Sequence, residues 1–67
     1  MPKEQPQEYP VTVEVGEKRY TGFYTVSSGI VRVESDWGER STETVGRAEQ
    51  TARLLLLELL RRAKVLR

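Results

Sequence analysis

The chain has 67 residues, which is enough for one small domain and no more. Its 11 Lys and Arg and 10 Asp and Glu leave a net charge of +1, too small to steer the whole chain toward nucleic acid or an anionic membrane. The absence of Cys and His excludes disulfides, thiolate nucleophiles, Cys/His zinc sites and imidazole bases. No glycine-rich phosphate loop is present either, so we expect no enzymatic activity and no cofactor.

The first ten residues differ in composition from the rest of the chain. They contain all three prolines and almost no aliphatic side chain, which predicts a disordered arm at 1–10 followed by one domain at 11–67. The start lacks the apolar segment of a signal peptide, and the longest apolar run is far shorter than the ~20 residues of a membrane span. We therefore expect a cytoplasmic protein that does not interact with membranes.

Between residues 11 and 45 apolar and polar residues alternate with a period of two, which predicts β-strands. Turn residues interrupt this pattern at 16–17, 27–29 and 36–38. The predicted strands are 11–15, 18–26, 30–35 and 39–45. Such short connections make successive strands antiparallel neighbours, and the polar fourth strand is typical of a solvated edge.

After Gly46 the apolar period changes to 3.6, which predicts a helix from 47 to about 64. Gly46 can serve as its N-cap, with Glu49 reaching back as in a capping box. The residues of one helix face form a core stripe: Ala48, Ala52, Leu55, Leu56, Leu59, Ala63 and Leu66, with Leu60 at its border. The predicted fold is therefore α+β, a four-stranded antiparallel meander (β-β-β-β-α) with one long C-terminal helix packed on one sheet face.

Three further apolar residues, Leu54, Leu57 and Val65, lie on the opposite side of the predicted helix. One sheet face cannot cover both sides of a helix, and burying one Leu contributes about 1.5–3 kcal/mol. A domain this small, without disulfides or metal, often gains stability by self-association. We therefore predict that Leu54, Leu57 and Val65 form a homodimer interface. The alternative is that they are exposed singly, which is common in soluble proteins.

Other side chains suggest a surface for a further partner. Phe23, Arg19 and Arg32 share the predicted outer sheet face, where an aromatic beside cations suggests a protein or single-stranded nucleic-acid contact. Trp37 lies in a turn and either covers one end of the core or marks a contact.

The helix end carries the basic residues Arg61, Arg62 and Lys64. Residues 47–67 have six basic against two acidic side chains, whereas residues 1–46 have five against eight. These cations could touch phosphates, or they could complement the helix dipole and increase solubility.

A resemblance to other small proteins rests on four features: the segment from Tyr20 to Val26, the turn at Gly29, the break at Gly46 and the Leu-rich helix. Together they resemble small uncharacterised bacterial proteins in which a strand meander is followed by one C-terminal helix. The resemblance implies a bacterial, cytoplasmic, single-domain protein and assigns no functional residue. We expect a non-enzymatic homodimeric protein-interaction module. The alternative is a small nucleic-acid-binding protein that uses the basic helix end.

Overall fold

A computed structural model describes residues 7–44 and 46–66 and shows four strands followed by one helix. The elements are β1 (Tyr9–Val15), β2 (Lys18–Ser27), β3 (Ile30–Ser35), β4 (Gly38–Glu43) and α1 (Ala48–Arg62). The strands form one antiparallel sheet in the order β1-β2-β3-β4, and α1 packs on one of its faces. The predicted α+β meander with a C-terminal helix is confirmed.

Strand β1 begins two residues earlier than the sequence pattern indicates. Tyr9 pairs with Tyr24 of β2, with ring centroids 5.4 Å apart, and Pro10 pairs with Phe23. The aromatic contact and the sheet pairing therefore extend into the segment predicted to be a disordered arm. Residues 1–6 of that segment lie outside the described residues, as does residue 45 at the predicted end of β4.

The connection between β2 and β3 is one residue shorter than expected. Ser27 pairs with Ile30, so that the turn consists of Ser28 and Gly29 alone. Both have positive φ, 52° and 77°, as the two central residues of a type I′ turn require. This turn matches the twist of the flanking strands, which favours it over the predicted three-residue loop with a bulge.

The hydrophobic core lies between the helix-facing side of the sheet and α1. The valines of β1 and β3 that share one face are buried, as the alternation predicts: Val11, Val13, Val31 and Val33. The helix contributes its own buried apolar side chains: Ala52, Leu55, Leu56, Leu59 and Leu60. Leu60, predicted at the border of the core stripe, is fully buried.

The helix begins one residue later than predicted. Arg47 is the N-cap, with φ −80° and ψ 135°, whereas Gly46 has φ +77° and lies before it. The Glu49 carboxylate pairs with Arg53 one turn along the helix at 3.0 Å. Because Arg47 is the N-cap and makes no side-chain capping hydrogen bond, Glu49 occupies the second helical position instead of the third, and the predicted capping box does not form.

The helix ends at Arg62, two residues before the predicted end, in a Schellman motif. The Val65 N–H donates to the Leu60 carbonyl at 2.9 Å and the Lys64 N–H to the Arg61 carbonyl at 3.0 Å. Lys64 adopts φ +61° to close this motif. The chain then reverses, and Val65 and Leu66 pack against the core. The reversal explains why Val65 does not continue along the outer face of the helix.

Replacing Lys64 with Gly is expected to raise the free energy of unfolding by about 0.5–1 kcal/mol. A left-handed conformation disfavours residues with a Cβ atom, and Gly is the usual residue at this position of the motif. Chemical denaturation measures the change, with Arg62→Gly as the control because Arg62 lies within the helix and should lose stability. A destabilised Lys64→Gly variant would contradict the role assigned to this position.

Candidate interaction surface

The three residues of the predicted dimer interface have different surroundings. Leu57 and Val65 are half-buried and pack against the core of their own chain. Leu54 is 63% exposed, more than any other large apolar side chain of the described residues. The structure therefore does not bring the three residues together as one exposed surface, and Leu54 alone faces solvent prominently.

Leu54 lines a groove between α1 and the edge strand β4. The groove has a volume of ≈370 Å³. Its lining residues are Thr51, Leu54, Leu55 and Glu58 of the helix and Arg40, Ser41, Thr42 and Glu43 of the strand. Glu58 and Arg40 bridge the two elements with an ion pair of 2.6 Å. The groove thus combines an apolar wall with charged and hydroxyl groups.

Strand β4 has a free hydrogen-bonding edge along this groove. Every residue of β4 is exposed, and no other strand among the described residues pairs with its outer side. The Thr44 N–H donates to the Gly29 carbonyl at 2.8 Å, which continues the ladder with β3. Because backbone groups alternate along an antiparallel strand, the N–H and C=O groups of Glu39, Ser41 and Glu43 point away from β3.

The outer sheet face carries Phe23, which is 50% exposed and lies between Pro10 and Glu34 on the neighbouring strands. The two cations expected to accompany it are paired with carboxylates. Arg19 bonds to Glu14 at 2.8 Å, and Arg32 forms ion pairs with Glu34 and Glu39. These pairs neutralise the positive charge near Phe23.

Trp37 is half-buried and packs against the core, with its ring edge-on to Tyr20 at a centroid distance of 5.5 Å. It covers one end of the core, which was one of the two interpretations of this residue. Arg61, Arg62 and Lys64 are exposed at the helix end and form no ion pair within residues 7–44 and 46–66. Arg61 and Arg62 occupy the last turn of α1, where cations complement the helix dipole.

The sequence does not indicate that the edge strand β4 lies beside Leu54. The polar segment of β4 predicts a solvated edge, and Ser and Thr between charges also suit a strand that pairs with another chain. A second hollow, of ≈470 Å³, lies at the β1–β2 turn and is lined by Glu14, Gly16, Glu17, Lys18 and Arg19. It has no apolar side chain in its lining, so it offers little to an apolar partner.

The described part of the chain has neither a metal-binding cluster nor a membrane-spanning helix. Residues 7–44 and 46–66 contain no group of three or more acidic side chains placed to hold a metal ion. The single described helix is too short and too polar to cross a membrane. Comparisons of the chain with protein families, with curated proteins and with solved structures found no match.

Proposed function

We propose that this protein is a non-enzymatic homodimeric interaction module, in which a second copy covers the groove between α1 and β4. The outer sheet face, including Phe23, is then left for a protein partner. On the resemblance and composition given above, the module belongs in the bacterial cytoplasm. The dimer interface in this proposal is argued from the surface geometry, and the proposal includes no cofactor.

The observation that carries the proposal is the position of Leu54. This side chain is 63% exposed and lies beside a strand edge whose backbone groups are free in the described structure. Burying a Leu contributes about 1.5–3 kcal/mol, and a symmetric dimer buries two. Unpaired backbone groups on β4 offer hydrogen bonds at the same place, so the two features reinforce each other.

Nucleic-acid binding has weaker support from the structure. Arg19 and Arg32, which would accompany Phe23 on an open sheet platform, are held by carboxylates. The exposed cations at the helix end are equally explained by the helix dipole. Phe23 has no second aromatic beside it on the outer face, because its partners on the adjacent strands are Pro10 and Glu34. We therefore favour the interaction module.

Replacing Leu54 with Lys is expected to convert the dimer to a monomer while the chain stays folded. Lys is a good helix former and stands four residues before Glu58, so it suits the monomer. Two lost Leu contributions, about 3 kcal/mol at the lower estimate, raise the dimer dissociation constant about a hundredfold or more. Light scattering coupled to size exclusion measures the mass against twice the chain mass of 7.7 kDa.

Phe23→Lys is the matched control, because Phe23 is also an exposed apolar residue but lies on the opposite sheet face. It should leave the dimer mass unchanged. A parent chain that has a mass of 7.7 kDa at millimolar concentration would contradict the proposal. If the Leu54→Lys variant still forms a dimer, the interface lies elsewhere on the chain.

A further inference from the structure

We infer that the second copy pairs through β4 in one register, with Thr42 on the two-fold axis, to form a continuous sheet across both chains. The inference rests on the proposed dimer and specifies its interface. Three properties of the described residues support it: the sheet edge that is able to pair, the backbone groups that face outward from that edge, and the charged side chains that would face each other in each register.

Only one of the two sheet edges has a full set of outward hydrogen-bonding groups. The two-residue turn at 16–17 makes Val15 and Lys18 a hydrogen-bonded pair, so Pro10, Thr12 and Glu14 turn their backbone groups outward from β1. Pro10 has no N–H to donate, so it weakens pairing along that edge. Strand β4 contains no proline and lies beside the Leu54 groove.

Backbone alternation limits how two β4 strands can meet. A two-fold axis relates the copies, so the outward groups of Glu39, Ser41 and Glu43 must face outward groups of the second copy. Since outward residues alternate with inward ones, this condition is met only when one residue faces the same residue of the second copy. The two-fold axis then passes between those two residues. An axis at Gly38, the first residue of β4, would set the rest of the strand against the preceding turn and not against β4. The possible axes are therefore the five positions from 39 to 43.

Four of these five axes bring like charges directly opposite each other, which destabilises a strand pair. An axis at Glu39 or at Glu43 places that glutamate against its own copy. An axis at Arg40 places two guanidinium groups together. An axis at Ser41 sets Glu39 against Glu43 of the second copy, and does so twice by symmetry.

The axis at Thr42 avoids every direct contact between like charges. Thr42 faces its own copy, Ser41 faces Glu43 and Arg40 faces Thr44. Facing threonines and a hydroxyl beside a carboxylate are favourable cross-strand pairs. The side chain of Thr42 lies on the helix side of the sheet, as does that of Arg40, which reaches Glu58 of α1. Charges on β4 thus select one register and disfavour the others.

This geometry also limits the assembly to two chains. An axis perpendicular to the sheet puts both helices on the same face, with the two Leu54 grooves adjacent across the axis. The outer edges of the combined sheet are then the two β1 strands, each weakened by Pro10. A dimer can form through β4 without further strand addition, which is how an exposed edge avoids open-ended aggregation.

Cysteine cross-linking in the full chain tests the register, because the chain contains no other thiol. A Thr42→Cys variant places two Cα atoms about 4.5 Å apart at a non-hydrogen-bonded pair, within the range of a disulfide. Ser41→Cys leaves its two copies diagonal to each other, about 7–8 Å apart, which is too far. Under mild oxidation, Thr42→Cys is expected to form a covalent dimer at least about tenfold faster than Ser41→Cys.

A second variant gives an independent readout in the case that Thr42→Cys does not fold. Thr42→Asp places two carboxylates face to face and should raise the dimer dissociation constant at least about tenfold. Faster cross-linking of Ser41→Cys, equal rates for both variants, or a Thr42→Asp dimer of unchanged affinity would overturn the Thr42 axis while the dimer itself stands. A monomeric parent chain would overturn both the register and the proposed function.

Discussion

Replacing Leu56 with Ala is expected to lower the free energy of unfolding by about 2–5 kcal/mol. Leu56 is fully buried at the centre of α1 and is among the largest side chains with no exposed surface. Its removal loses apolar burial and leaves a cavity that a thin two-layer domain can close only in part. Because proteins of ordinary size have only about 5–15 kcal/mol of stability, a large fraction of the chains should unfold.

Leu54→Ala is the matched control for this loss. It makes the same chemical change in the same helix, but Leu54 is 63% exposed. Its effect on the folding of the single chain should be within about 0.5 kcal/mol. Urea denaturation followed by the fluorescence of Trp37, the single tryptophan, measures both variants at one low protein concentration. Equal losses for Leu56→Ala and Leu54→Ala would contradict the placement of α1 on the sheet.

The substitution Gly22→Ala is expected to cost about 1–3 kcal/mol, although it adds only one methyl group. A Cβ atom at Gly22 would lie 2.8 Å from the carbonyl oxygen of Glu34 and 3.2 Å from Cβ of Ser35. The first contact is with backbone, so β2 and β3 would have to separate to relieve it. Leu56 is above the same point, with Cδ1 3.6 Å from the added atom.

Whether Gly22→Ala raises or lowers the free energy of unfolding shows how tightly β2 and β3 pack at this position. Where space allows, Gly→Ala stabilises a protein by about 0.4–1 kcal/mol, because it restricts the unfolded chain. Thr21→Ala serves as the control, since Thr21 is the next residue and is exposed on the outer face, with its hydroxyl 3.1 Å from that of Thr12. Its cost should stay below about 1 kcal/mol, the upper value for one exposed cross-strand pair. A Gly22→Ala protein more stable than the parent would show that β2 and β3 are not packed this tightly.

Much of the candidate site could not be predicted from the sequence, for reasons visible in particular residues. Because no Gly marks the helix end, helical periodicity continued past residue 64 predicts Val65 on the outer helix face. Lys64 takes the left-handed position instead, and Val65 turns back onto the core. Leu57 faces away from the centre of the core stripe, yet it packs against the core. Helix periodicity predicts the direction in which a side chain points from the helix axis. It does not predict how much of that side chain other parts of the chain cover.

The amino-acid sequence by itself determined the number, order and type of the elements. Period-two alternation in Val11, Val13, Val31 and Val33 specifies strands with one buried face, and short turns leave successive strands little choice but antiparallel pairing. Patterns of this kind involve only residues that are close in sequence. They can therefore be recognised without knowing which elements pack against each other.

Only the tertiary structure decided which apolar side chains remain exposed and which strand edge accompanies them. Leu54 and the outward backbone groups of β4 are more than ten residues apart in sequence, and they become one surface because α1 folds back along the edge strand. Burial depends on the summed contacts of distant segments, whereas periodicity reports only the direction of each side chain.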